Sequence, residues 1–281
     1  MLANSEDAVD ASIACGEGIE VLPVALDDSW VRDTGPVFLS NGRGIAGLDM
    51  PFNGWGGKYQ PYADDSKLAA VILERLSMTA FEAPFVLEGG ALCGDGEGTL
   101  LVTEQCALNR NRNPGATIES MTSDLCRYLG VTAVIWLEGG SPQDETEGHI
   151  DNVARFVAPG RVLALDPETA DDSARPVLIE NLCRLRDSTD ASARTIEVDL
   201  IPVPRPRRVE GRLLTQSYLN FCFVNGAVLV PLFDDPADDT ALAAFGRCFP
   251  NRIIEAVPAV DLAYGGGALH CATLDQPTVP G

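Results

Sequence analysis

The chain has 281 residues, 46% of them hydrophobic, and carries 41 Asp and Glu against 20 Lys and Arg, a formal net charge of −21. That length supports one large domain with a buried core. It holds no run near the roughly 18 consecutive apolar residues of a membrane span, and the acidic balance argues against nucleic-acid binding, which needs a basic stripe. A negative field instead favours a cationic substrate. The first residues lack a basic stretch, so they do not read as a signal peptide. Eight cysteines are scattered singly. No Cys-x-x-Cys pair supports a zinc ribbon or a thioredoxin-like motif, and reduced thiols fit a cytoplasmic protein.

In chain order, residues 5–15 read as a helix and 19–25 as an apolar strand, which leads into a polar loop at 27–36. A hairpin follows over 37–39 and 44–48, turning at Asn41-Gly42, and residues 66–76 carry apolar positions at helical spacing. The pattern restarts with a strand at 85–87, the loop Glu88-Gly89-Gly90, a hairpin over 91–93 and 99–103, and a helix near 118–129. A third unit has a strand at 131–137, loops at 138–140 and 147–151, a hairpin over 153–157 and 162–165, and a helix at about 174–185. The fourth runs from a strand at 196–203 through a hairpin at Asn225-Gly226 to a helix near 240–248. A fifth strand at 253–257 leads to the glycine-rich loop 265–271.

Periods of this kind suggest a ring of α/β modules within one catalytic domain, 1–281, rather than a doubly wound sheet. Each unusual polar cluster follows an apolar strand, so all of them are expected at one end of a central channel. The last module stops after its loop, and the helix and strand at the start of the chain would complete it.

The clusters carry recognisable chemistry. Cys271 closes Gly-Gly-Gly-Ala-Leu-His-Cys (265–271) beside His270, one of only two histidines, and offers a nucleophile whose thiolate fraction rises near a cation. The other histidine, His149, offers a general acid and base. Asp33, Glu88 and Asp151 supply loop carboxylates. A histidine and thiol alone suit acyl transfer. Several added carboxylates suit a fixed planar cation, because a guanidinium presents five N–H donors that carboxylates grip in pairs. Taken singly, each residue has a plain structural explanation: a buried thiol, a local Arg32–Asp33 salt bridge, a turn with a solvated acid. Their recurrence at one position in successive modules favours a site.

Seven stretches resemble those of agmatine deiminases, a bacterial peptidylarginine-deiminase-like group within the guanidino-group-modifying superfamily. They are Trp-Val-Arg-Asp-Thr-Gly-Pro (30–36), Phe-Asn-Gly-Trp-Gly-Gly-Lys-Tyr (52–59), Leu-Glu-Gly-Gly (87–90), Asn-Arg-Asn-Arg-Asn-Pro (109–114), Gly-His-Ile-Asp-Asn (148–152), Ser-Tyr-Leu-Asn-Phe (217–221) and the 265–271 loop. The resemblance implies a pentein-like, five-module pseudo-symmetric α/β propeller. It implies hydrolysis of agmatine to N-carbamoylputrescine and ammonia, a step of putrescine biosynthesis, with no cofactor and no metal. Carried over, Cys271 is the nucleophile, His149 the general acid/base, Asp33 and Asp151 the guanidinium grip, Glu88 its support, and Trp30 a wall beside the alkyl chain. Asp144 or Glu145 is placed to receive the distal amine.

Three departures from the family pattern stand out. Ala268 replaces the usual Asn, Glu147 replaces an Asp, and the residues that normally precede the position of Met1 are missing, which would leave one module incomplete with an open edge suited to pairing in a homo-oligomer. The competing readings are a deiminase of arginine or peptidyl-arginine, a guanidine- or polyamine-binding protein without turnover, and, more weakly, a thiol protease.

Overall fold

The computed structural model describes residues 1–140 and 144–278. Its strands form separate small sheets in a mixed α/β chain. β1 (Leu2–Ala3) and β2 (Leu22–Pro23) pair in parallel across the helix Ala8–Cys15. One arrangement then recurs four times: an antiparallel hairpin, a helix, and a strand returning parallel to the second hairpin strand. β3 (Val37–Ser40), β4 (Ile45–Asp49) and β5 (Thr79–Glu82) form the first such sheet, and β6 (Cys93–Gly94), β7 (Thr99–Thr103) and β8 (Ala133–Leu137) the second. β9 (Ala154–Ala158), β10 (Arg161–Leu165) and β11 (Glu197–Ile201) form the third. A two-stranded hairpin, β12 (Arg208–Val209) and β13 (Arg212–Leu213), stands outside the pattern. β14 (Cys222–Val224), β15 (Ala227–Leu232) and β16 (Ile253–Pro258) complete the set. A parallel return needs a crossover, and the helices Leu68–Arg75, Ile118–Leu129, Arg175–Arg186 and Asp238–Cys248 supply it.

The helix at 118–129 has the bounds its pattern predicts. Thr117 and Ser120 exchange side-chain-to-backbone hydrogen bonds of 3.2 and 2.9 Å as a capping box, and Gly130 at φ 72 ends the helix in the left-handed region.

Two strand expectations fail, and of the hairpin strand expected at 91–93 only Cys93 is in strand, because residues 89–91 form a short 3-10 turn. Residues 19–25 contribute only Leu22–Pro23, and the strand expected at 85–87 lies instead at Thr79–Glu82. Pro84 has no N–H to give a ladder, so Phe85 and Leu87 become buried loop anchors packed on Leu48 and Leu100. β5 bonds to β4 alone and is exposed along its length, which hides it from a search for apolar runs.

The site loops leave the returning strands and meet although distant in sequence. Arg32 N donates to Cys271 O at 3.1 Å, Gly90 N to Asp33 Oδ1 at 2.8 Å, and Asn220 Nδ2 to Asp151 Oδ2 at 3.1 Å. Among the described residues no helix is long and apolar enough to cross a membrane.

Candidate active site

Cys271 is set by a glycine turn. The helix Val260–Gly265 ends at Gly266, whose φ of 111 suits glycine, and a Cβ on Gly267 would lie 2.6 Å from Trp30 Cζ3 and 2.9 Å from Cys271 Cβ. The turn thus lets the Trp30 ring and Cys271 come together. Cys271 is 5% exposed, its Sγ receives Asn220 Nδ2 at 3.2 Å, and Asp151 Oδ2 stands 3.8 Å away. Burial, then the charges of Asp151 and Asp33, push the thiol well above its ordinary value, against the Asn220 hydrogen bond. The carboxylates and burial outweigh the Asn220 hydrogen bond, which favours the thiol over the thiolate.

His149 is delivered by a tight bend in which Glu147 and Gly148 both take left-handed φ, 64 and 85. Thr103 Oγ1 donates to Gly148 O at 2.7 Å, while Asp144 accepts from Thr146 N and Gly148 N. The ring is fully buried. Nε2 lies 3.4 Å from Glu88 Oε2 and Nδ1 lies 3.8 Å from Asp33 Oδ1. Burial alone would lower its pKa. The Asp33 charge, together with hydrogen bonds to Cys106 and Glu88, outweighs this and raises it well above the usual value, which favours the protonated ring.

Behind it, Arg112 Nε donates to both Glu88 oxygens at 2.9 and 2.8 Å. The same guanidinium holds Glu147 Oε2 at 2.5 Å and Thr146 O at 3.1 Å, and so ties Glu88 to the histidine loop. Burial would raise Glu88; His149 and then Arg112 overcome it and hold the carboxyl at about 2. Glu147 reaches Arg112 and, at 3.0 Å, Lys58 Nζ, which gives the longer acid a structural role here.

Asp33 and Asp151 face each other across Gly90. A Cβ on Gly90 would lie 2.7 Å from Asp33 Oδ1, 2.7 Å from His149 Nδ1 and 3.1 Å from Asp151 Oδ2, so only glycine leaves the three groups their shared space. Asp33 accepts Trp55 Nε1 at 2.9 Å. Asp151 Oδ2 lies 2.8 Å from His270 Nδ1; burial, then Arg155 and Arg32, lower the His270 pKa well below its usual value, and in the tautomer with Nδ1–H the ring donates to the carboxylate. Burial is the main cause that pushes Asp151 up to about 7. Among the described residues, His149 Nδ1 and Asp151 Oδ1 are buried without a hydrogen-bond partner. Orphaned buried polar atoms are rare, and these two lie beside Asp33, which lines the pocket, where a ligand or a water supplying both functions would satisfy them.

The pocket, a cavity of about 30 Å³, has Asp33 and Cys271 at its foot, Trp30, Trp55 and Tyr59 as walls, and Asp28 and Glu145 at its rim. Glu145 Oε2 accepts Tyr59 O–H at 2.5 Å and Arg212 Nη2 at 2.9 Å. Burial and then Glu145 push the Tyr59 phenol up to about 12. Of the two acids expected near the amine, Glu145 reaches the rim, whereas both Asp144 oxygens serve Thr146 and Gly148 within their own loop.

Glu88, Cys106 and His149 bring possible metal-ligand atoms within 4.8 Å of one another. Arg112 occupies both oxygens of that carboxylate and puts a positive charge where a cation would sit, so the residues fit an ion-paired triad better than a metal centre.

Sequence reasoning named Cys271, His149, Asp33, Asp151, Glu88, Trp30 and Glu145, and the fold brings all seven to one pocket or directly behind it. It gave no role to Asn220, Arg112 or Trp55, although each lies in a stretch quoted for the resemblance. Asn220 is a hub: Oδ1 accepts His270 N at 3.0 Å and Cys271 N at 3.3 Å, while Nδ2 faces the sulfur.

Known proteins resemble this chain in sequence and fold. The family model for Porphyromonas-type peptidyl-arginine deiminase matches residues 1–277. An agmatine deiminase from Pseudomonas putida is 39% identical over 283 residues, covering 92% of this chain and 77% of its own. The solved agmatine deiminase of Enterococcus faecalis is 34% identical with a TM-score of 0.93, over 99% of this chain and 83% of that one. A C. jejuni agmatine deiminase with substrate bound is 29% identical with a TM-score of 0.85, over 96% of this chain and 80% of that one. With the family model matching residues 1–277 and a relative 39% identical over 92% of the chain, the chain belongs to the Porphyromonas-type peptidyl-arginine deiminase family.

Proposed function

We propose that this chain is an agmatine deiminase, a hydrolase of the guanidinium C–N bond that converts agmatine to N-carbamoylputrescine and ammonia. The observation that carries this reading is the pairing of a buried orphan acceptor, Asp151 Oδ1, with a thiol that its neighbouring carboxylates keep protonated. A guanidinium between Asp33 and Asp151 satisfies the acceptor and cancels the charges that hold the thiol proton. Substrate binding thereby releases the thiol proton to solvent and leaves the thiolate, while His149 keeps its own proton for the leaving group.

The chemistry then follows from the geometry. The thiolate, with Asn220 Nδ2–H on the sulfur, attacks the guanidinium carbon and forms a C–S bond. His149 Nδ1–H faces the pocket because Nε2 is turned to Glu88, and it protonates the departing nitrogen. The C–N bond breaks, ammonia leaves, and an S-alkylthiouronium remains on Cys271. Neutral His149 next takes a proton from water, the hydroxide adds to the same carbon, and the C–S bond breaks to return the sulfur and release the ureido product. Trp30 lies against the methylene chain. Glu145 receives the distal ammonium at the rim.

On this reading the repeated sheets form a five-module, pseudo-symmetric α/β propeller, and the parallel pair β1–β2 belongs to the module that carries Cys271. The hydrogen bond between Arg32 in the first loop and Cys271 in the last supports such a ring. The chain acts as one catalytic domain. Its eight free thiols suit a reducing cytoplasm.

The test is ammonia release with agmatine, arginine and a blocked arginine peptide in parallel. Turnover of agmatine, lost in Cys271→Ser with agmatine binding retained, supports the reading. Turnover that survives Cys271→Ser, or arginine preferred over agmatine, overturns it.

A further inference from the structure

The rim of the pocket already holds a cation. Arg212, on the β13 strand outside the repeating sheets, places Nη2 2.9 Å from Glu145 Oε2. A Cβ on Gly266 would lie 3.5 Å from that nitrogen and 3.6 Å from that oxygen, so the pair sits against the glycine turn that carries Cys271. Its guanidinium carbon also lies 6.0 Å from the Tyr264 ring centroid. Glu145 also takes Tyr59 O–H, a pocket wall, and Lys58 Nζ donates to Glu145 O at 2.9 Å. The acid is thus fixed by contacts that do not depend on Arg212.

We propose that Arg212 is a resident cation on the Glu145 carboxylate, exchanged for the distal ammonium of the substrate on binding, and hence a specificity-determining residue. The inference rests on the reading of the pocket as an agmatine site. The Arg212 and Glu145 side chains are 38% and 33% exposed, and an ion pair screened to that degree holds weakly. Its exchange for a primary ammonium is therefore nearly neutral and reversible, and Tyr59 keeps the carboxylate in place throughout. A ligand with a distal carboxylate gains instead from the guanidinium. Arg212 thus weakens the preference for an amine that Asp28 and Glu145 would impose alone, and sets how strictly the mouth separates the two.

Arg212→Gln should lower the KM for agmatine about two- to five-fold, the range of a surface ion pair, at nearly constant kcat. It should raise the inhibition constant of 4-guanidinobutyrate, which carries a carboxylate in place of the ammonium. In a Glu145→Gln background the effect of Arg212→Gln on agmatine should vanish, because a double-mutant cycle isolates the pair. An agmatine KM that stays constant or rises in Arg212→Gln overturns the proposal. So does a shift of both ligands in the same direction, which is the mark of a loosened loop. Absence of agmatine turnover in the wild type overturns the underlying reading instead; the exchange is then read from calorimetric binding of the same two ligands.

Discussion

Asp151 Oδ2 stands 3.8 Å from Cys271 Sγ, both residues buried, so the acid proposed to grip a cation also works against ionisation of the proposed nucleophile. The two roles separate by mutation. Asp151→Asn removes one charge beside the sulfur and lowers the thiol pKa by about one unit or more. Turnover should fall by at least about a thousand-fold, yet alkylation of Cys271 by iodoacetamide, measured at a pH well above the Asp151 titration at about 7 so that the wild-type acid is ionised, should quicken by about ten-fold. Slower alkylation in this variant would show that the carboxylate does not hold the thiol proton.

Asn220 should act in the opposite sense. Its amide is the one side-chain N–H on the sulfur among the described residues. Asn220→Ala removes a hydrogen bond to a group that becomes charged, worth about 1.5–3 kcal/mol. The kcat should fall about 10- to 100-fold, and alkylation at pH 7 should slow. The KM for agmatine should change little. Stopped-flow alkylation and steady-state kinetics on one preparation check both.

Arg112 and Glu88 form a buried pair, 0% and 1% exposed at the side chain. Arg112→Met leaves a buried carboxylate without its cation and should destabilise the fold by about 3–5 kcal/mol, measured by urea unfolding. The pH dependence has a definite sign. The Glu88 carboxyl is held at about 2, below its ordinary 4.5, so its contribution is present above 4.5 and is lost as pH falls towards 2. His149 is raised above its ordinary 6.5, so its contribution is full below 6.5 and is lost as pH climbs through the folded value. The acid-side loss should be shallower in Arg112→Met than in the wild type.

Much of this was legible in the sequence where local chemistry decides. The capped helix Ile118–Leu129 and the hairpins at Asn41-Gly42, Pro159-Gly160 and Asn225-Gly226 follow from turn and cap residues. β5 did not, because a half-polar edge strand looks like a loop, while the apolar 85–87 behind Pro84 looks like a strand. At the site, Cys271, His149 and the three carboxylates announce themselves by residue type. Their supports do not. Asn220 meets Cys271 across 51 positions and Arg112 meets Glu88 across 24, and neither amide nor guanidinium is unusual until the fold aims it. Asp144 shows the converse. It reads as a free acid beside the histidine, yet its oxygens are consumed by two backbone N–H groups and a hydroxyl of its own loop.

The covalent step is the centre of the account, and intact-protein mass spectrometry of acid-quenched samples taken during agmatine turnover tests it most directly. The account predicts a species heavier than the free chain by agmatine minus ammonia, mapped by peptide digestion to Cys271 and absent in Cys271→Ser. Turnover without any such adduct, or an adduct on another thiol such as Cys106, would contradict it.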